Sequence, residues 1–128
     1  MLALLVEDDA DVAEVLEHHL SRLGFEARTV PSGEAAVEML DLERWDLVVV
    51  DILLPGIDGR ELLRHMHERP SGRHAAVLIT SILGSYELDQ IEADARLPKP
   101  FRSADITRAV DEALARAAGR APGETGEG

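Results

Sequence analysis

The sequence predicts an α/β domain built from repeated strand–helix units around a parallel sheet. Apolar runs of strand length alternate with stretches of helical period along most of the chain. Two of these runs, "DLVVV" and "AAVLIT", are almost wholly apolar, as strands covered on both faces should be. A chain of 128 residues with 45% apolar content is long enough to close one domain around one core.

Five strand–helix pairs follow in order. The first strand is "LALLV" (2–6), and the helix after it carries Val12, Leu16, Leu20 and Leu23 on one face, with Gly24 as its stop signal. The second strand is "FEARTV" (25–30). Its helix runs from Gly33 to Asp41, after the breaker Pro31–Ser32. The third strand spans 46–50, with Trp45 packed at its start. The third helix takes Asp58 as N-cap, places Glu61 three residues later, and buries Leu62, Leu63 and Met66. The fourth strand spans 75–80, and a short, weakly amphipathic fourth helix is expected within 84–93. The fifth strand is "ARL" (95–97). The last helix is expected to use Ser103 as its cap and to bury Ile106, Val110 and Leu114. From Gly119 the chain reads "GRAPGETGEG", without apolar anchors. The domain is therefore expected over 1–118, with 119–128 as a flexible tail or the start of a linker.

Composition removes several functions. No apolar run approaches the roughly 18 residues a membrane span needs, and acid follows the first strand too soon for a signal peptide, so a cytoplasmic protein with no membrane role is expected. The absence of cysteine removes disulfides, thiolate chemistry and zinc–thiolate sites. A net charge of −12 repels phosphate backbones, so no direct nucleic-acid binding is expected.

Ligands of open parallel sheets bind outside the carboxyl ends of the strands. There the first strand runs into Glu7, Asp8 and Asp9, the third into Asp51, the fourth ends at Thr80, and the fifth leads through Pro98 to Lys99. Taken alone, helix capping explains Glu7, Asp8 and Asp9 as well as a ligand does. Asp51 shifts the balance, because it ends an apolar run and precedes "ILLPGIDG", a loop too apolar to explain an acid as mere solvation. Two carboxylates about 4 Å apart repel by roughly 4 kcal/mol at an effective dielectric near 20, so such a cluster needs a cation. Mg²⁺ suits it, taking oxygen ligands from one or two carboxylates and a phosphate. Lys99, the single lysine beside twelve arginines, adds a compact point charge held between two prolines, where arginine's fork would demand bidentate geometry. Its bland alternative is an ordinary surface lysine.

In this order and spacing, "LLVEDD", "VVVDILLPGIDG", "LIT" ending at Thr80, and "KPF" at 99–101 resemble the receiver domain of two-component response regulators, the CheY-like superfamily, over residues 2–118. The resemblance implies a single doubly wound (βα)5 flavodoxin-like domain with sheet order 2-1-3-4-5. It implies phosphorylation of Asp51 by a sensor histidine kinase or histidine phosphotransfer protein. It further implies Mg²⁺ on Asp8, Asp51 and the Leu53 carbonyl, with Glu7 acting through water, and Thr80 and Lys99 on the phosphoryl oxygens. The Lys99–Pro100 bond is expected to be cis. A downstream protein target, or a second copy in a homodimer, would engage the face of the fourth helix, fifth strand and fifth helix. Asp9 lies one place beyond the acidic pair and reads as a helix cap.

Two rival classes compete with this reading. An aspartate-dependent phosphohydrolase would need a second acid two residues after its nucleophile, where this chain has Leu53, so the proton shuttle is missing. A degenerate receiver that binds partners without phosphorylation is opposed by the completeness of the site. Leu53 and Ile82 should flank the phosphoryl group, and apolar side chains there neither orient nor admit water, so a long-lived phosphoryl group is expected. The chain also departs from the family. Arg96 stands where an aromatic ring usually couples to the threonine, and a solvated arginine is the expectation for it. The stretch from Thr80 to Lys99 is about three residues shorter than usual, and Glu92 replaces a frequent glycine. Tyr86 is a substitute candidate for the absent ring. His18 with His19, and His65 with His67, do not share a helix face and make poor metal pairs; His74 falls in a loop.

Overall fold

Alternation along the central strands decides the architecture. In β1 (Leu2–Val6), β3 (Leu47–Asp51) and β4 (Ala76–Ser81), successive side chains point to opposite faces, and both faces are apolar. Ala3, Leu5, Leu47, Val49 and Leu78 face one way, onto Leu16 and Leu20 of α1 (Ala10–Arg22) and Ile106, Ala109 and Val110 of α4 (Ser103–Ala118). Leu4, Val6, Val48, Val50 and Ile79 face the other way, onto Ala36 and Leu40 of α2 (Gly33–Leu40) and Leu62, Leu63 and Met66 of α3 (Gly59–Glu68). A sheet with two apolar faces must be covered on both, and the result is a doubly wound α/β fold. This computed structural model describes residues 1–68, 75–82, 87 and 89–119.

With β2 (Glu26–Val30) and β5 (Ala95–Pro98), the five strands lie parallel in the order β2-β1-β3-β4-β5. Register aligns the strand ends that matter: Val6 pairs with Val50, Asp51 with Thr80, and Thr80 with Leu97.

Local signals act largely as expected. Asp9 Oδ1 accepts from the amides of Asp11 at 2.9 Å and Val12 at 3.2 Å, capping α1. Gly24 ends that helix region at φ 96°, which a side chain would strain. Ser32 caps α2, and Asp58 accepts from Glu61 N at 3.1 Å. Trp45 is buried, its indole N–H donating to Met39 O at 3.0 Å.

Some boundaries shift. β3 and β4 each start and end one residue later than expected, so Asp51 and Ser81 are strand residues. α2 stops at Leu40 rather than Asp41. Ser103 does not cap the last helix; it is the first helical residue, and Arg102 occupies the cap position. The Asp105 carboxylate accepts from Arg102 N at 2.8 Å, which is the half of a capping box that runs from the first turn back to the cap residue, and Asp105 N in turn bonds to Arg102 O at 3.0 Å. Of the fourth helix expected within 84–93, residues 84–86, Tyr86 among them, and 88 lie outside the described residues; Glu87 and Asp89 are helical, and the helical stretch is over by Ile91. His74 and residues 120–128 also lie outside the described residues. Among the described residues no helix is long and apolar enough to cross a membrane.

Candidate functional site

Three strand ends converge at the carboxyl edge of the sheet. Glu7 continues β1 and is only 2% exposed, its backbone N–H bonded to Val30 O. Asp51 ends β3 and is 5% exposed. Lys99 follows β5, its backbone N–H bonded to Ser81 O at 2.8 Å and its peptide bond to Pro100 cis. Lys99 Nζ lies 3.1 Å from Asp51 Oδ2 and 3.1 Å from Glu7 Oε1, so one ammonium serves two buried carboxylates. The other Asp51 oxygen accepts from Leu53 N at 3.0 Å. Asp8 is exposed at the rim. Glu7, Asp8 and Asp51 each place a carboxylate oxygen within 4.8 Å of the others.

The backbone behind Asp51 is held closely. Gly59 N bonds to Ile52 O, and a Cβ on Gly59 would lie 2.6 Å from Ile52 Cα and 2.8 Å from Asp51 O, so α3 approaches the end of β3 as only glycine allows. Thr80, adjacent to Asp51 in register, is fully buried, and its hydroxyl has no hydrogen-bond partner among the described residues. Glu7 Oε1 is likewise buried without an aligned hydrogen bond, despite its ion pair with Lys99. Buried polar atoms left with spare capacity beside an acid pair mark a place where something else binds.

Electrostatics agree. Burial pushes the Glu7 carboxyl above its ordinary value, and the Asp51 charge adds to the push, against the Asp9 N–H and the Lys99 ammonium. For Lys99 burial acts downward, but the hydrogen bonds and charges of Asp51 and Glu7 outweigh it and hold the ammonium above its ordinary value. The net charge of the trio Glu7, Asp51 and Lys99 is negative when all three are ionised. Asp8 adds to that excess.

The response regulator receiver domain model matches residues 3–111. The chain belongs to this family. It is 38% identical over 118 residues to the transcriptional activator protein PfeR of Pseudomonas aeruginosa, a match covering 88% of this chain and 37% of PfeR. The chain spans 37% to 59% of the length of the curated regulators it matches. Among solved structures, the receiver domain of a signal transduction histidine kinase from Syntrophus aciditrophicus superposes with TM-score 0.81 at 30% identity, covering 94% of each chain. The receiver domain of the sensor histidine kinase PA1611 from Pseudomonas aeruginosa PAO1 superposes with TM-score 0.80 at 27% identity, covering 89% of this chain and 97% of that one; its crystal structure holds a magnesium ion coordinated in the active-site cleft.

In this receiver two apolar side chains that follow Asp51 and Thr80 are open to solvent. Leu53, two residues after Asp51, is 43% exposed, and Ile82, two residues after Thr80, is 74% exposed. Arg96 is not a solvated arginine: its side chain is 24% exposed, its guanidinium donates to Ile91 O, and its Nε lies 3.8 Å from Asp89 Oδ1. A nearby backbone carbonyl replaces the hydration that burial would remove. His19 shares a 2.9 Å hydrogen bond with Thr107 of α4 and is a helix-to-helix contact.

Two supporting groups escaped the sequence reading. Glu34 reaches from α2 to accept Ile57 N at 3.1 Å, pinning the loop after Asp51. Its place in the first turn of a helix gave only the signal of a dipole-stabilised acid. Ser81 O anchors Lys99 through a backbone carbonyl, which no side-chain pattern announces.

Proposed function

We propose that this receiver is a phosphoacceptor whose Asp51 takes a phosphoryl group from a sensor histidine kinase or histidine phosphotransfer protein. The observation that carries the reading is the buried Asp51 carboxylate at a strand end, 3.1 Å from the chain's single lysine. An Asp51 oxygen forms the new P–O bond while the donor's P–N bond breaks and the donor nitrogen keeps the electron pair. Little covalent chemistry is asked of the protein, so positioning and charge neutralisation carry the step. Lys99 supplies a point charge for the transferred oxygens, and the unpartnered Thr80 hydroxyl donates to the phosphoryl group once it is in place. The donor set fits a hard divalent cation: Asp8, Asp51 and the Leu53 carbonyl would hold Mg²⁺, with Glu7 acting through water. When bound, Mg²⁺ offsets the charge of the acid cluster and the phosphoryl oxygens.

Drawing Thr80 inward frees the segment that follows it, and the face formed by β5, α4 and the residues around 87–93 then presents a changed surface to a downstream protein or to a second copy. The receiver unit is residues 1–118, with 119–128 as a tail or the start of a linker, working in the cytoplasm. Loss of the phosphoryl group by the protein's own action is slow, because Leu53 and Ile82 offer no group to orient water.

Intact-mass spectrometry after incubation with Mg²⁺ and acetyl phosphate tests this. Wild type gains one phosphoryl mass and Asp51→Asn gains none. A wild type that stays unmodified with both acetyl phosphate and a phosphorylated histidine kinase overturns it. Arg96 in place of an aromatic ring favours one second reading, a binding module indifferent to phosphorylation, and that double failure selects it.

A further inference from the structure

We propose that Arg96 is a positioning residue that clips residues 89–91 to β5 and holds the face beside Thr80 in its unmodified arrangement. The clip is a structural claim in its own right; its release on phosphorylation rests on the phosphoacceptor reading above.

Arg96 pairs in register with Ile79, so the two side chains leave the sheet on the same face, the one covered by α2 and α3. From there the guanidinium crosses to the Ile91 carbonyl, with Asp89 alongside. The two contacts are unequal. The Asp89 side chain is 69% exposed, so that pair is screened and weak. A charged donor on a backbone carbonyl is stronger, and the Arg96 side chain is three-quarters buried around it. Ile91 is itself a core residue, and its side chain also lines a cleft of about 350 Å³ against Arg60, Leu63 and Arg64 of α3. Asp94 then ties the same segment to β4, accepting from Val77 N at 2.8 Å and donating its own N–H to Val77 O. The path from Thr80 back to β5 therefore ends in a stretch fastened by a side chain in the core, a guanidinium on a carbonyl, and a strand pairing. Of these, only the guanidinium has a good alternative in water, because it is a charged head on a long stem that can be hydrated outside. It is the fastening that can let go without unfolding anything.

Hydrogen–deuterium exchange on the full chain with Mg²⁺ tests the clip. Arg96→Met keeps the aliphatic stem and removes every donor. Amides of 89–94 should exchange about tenfold faster in this variant, the scale of one lost charge-assisted hydrogen bond, with β1 and β3 unchanged. Exchange there within about twofold of wild type shows that Arg96 is packing only and overturns the clip. If Met loosens the whole sheet, Arg96→Lys is read by the same criterion, since it keeps charge and stem but loses the planar fork. In the phosphorylated wild type, faster exchange at 89–94 that the Met variant no longer shows supports release; no change on phosphorylation overturns release and leaves the clip as a static lock. Intact mass on the same samples reports phosphoryl gain, so failure of the phosphoacceptor reading is seen separately.

Discussion

The two ends of the sheet handle carboxylates in opposite ways. At the amino edge, Asp46 Oδ2 accepts from Leu2 N at 2.7 Å and Asp94 Oδ2 accepts from Val77 N at 2.8 Å, each on a neighbouring strand. Backbone groups of the same aspartates extend those pairings, through Ala76 N to Asp46 O and Asp94 N to Val77 O. Each acid there finishes a strand pairing and is satisfied by an amide. At the carboxyl edge, Glu7 and Asp51 share one ammonium, and two buried oxygens, Glu7 Oε1 and Thr80 Oγ1, lack hydrogen bonds. Residue type does not separate the ends. What separates them is spare hydrogen-bonding capacity and excess charge, and among the described residues both lie at the carboxyl edge.

The strongest way to break this comparison is to remove the shared cation. Lys99→Met leaves two buried carboxylates facing each other, and loss of one partner of a buried charge cluster costs about 3 kcal/mol. A urea titration should show that loss in metal-free buffer and a partial recovery in millimolar Mg²⁺; equal curves with and without Mg²⁺ would separate the acid cluster from cation binding. The Met variant should also take up phosphoryl from acetyl phosphate far more slowly than wild type, while Lys99→Arg keeps the charge and tests the need for a compact one.

Asp94→Ala sharpens it from the other end. Removing that acceptor strands Val77 N beneath the sheet edge and should cost about 1 to 3 kcal/mol in the same titration. The phosphorylation rate of the folded fraction should stay at the wild-type value. A variant that loses stability and phosphorylation together would show that the two edges are coupled. Smaller again is the effect expected at the rim. Leu53→Asn with Ile82→Glu supplies polar groups that can hold water, and the phosphoryl lifetime followed by intact mass should fall by about tenfold. An equal or longer lifetime removes the role assigned to these two side chains.

How much of this was legible without coordinates depends on where each signal lay. Runs such as "DLVVV" fixed a strand buried on both faces, and an acid ending that run stood out because nothing local explains it. Asp9 and Asp58 sat at helix starts with the right offsets, so their capping could be read from spacing. Lys99 was visible because it is the single lysine. The convergence of Glu7 and Lys99, 92 positions apart in sequence, came from recognising the whole motif set, since spacing alone cannot bring strands together. Arg96 reads from sequence as solvated because its acceptor is the backbone carbonyl of Ile91, and every residue carries one. Ser103 reads as a cap because a hydroxyl at a helix start is a strong local signal, but the helix begins one residue earlier in register, with Arg102 as the cap residue and the Asp105 carboxylate accepting its N–H.

The finest test concerns Glu7, the most deeply buried acid of the site. Its folded-state pKa lies above the ordinary value of 4.5, with burial as the leading cause. A carboxyl whose pKa rises on folding binds its proton more tightly in the native state. Stability therefore falls as pH rises through the window from 4.5 upward to the folded value, and the cost is fully present above that value. The Lys99 shift has the opposite consequence at the other end of the scale: its raised pKa contributes stability below 10.5 that is lost as pH climbs through the folded value. Of these two, Glu7 titrates on the acid side, from 4.5 upward, and Lys99 on the alkaline side, above 10.5. Glu7→Gln removes the buried negative charge, so in metal-free buffer at pH 7 its urea midpoint should exceed that of wild type, and the gap should close as the buffer is taken down toward pH 5. A midpoint below wild type at pH 7 would mean that the Lys99 ion pair outweighs the burial of Glu7. The same variant should bind Mg²⁺ more weakly by calorimetry, because the charge that costs the empty site its stability is one that a cation would use.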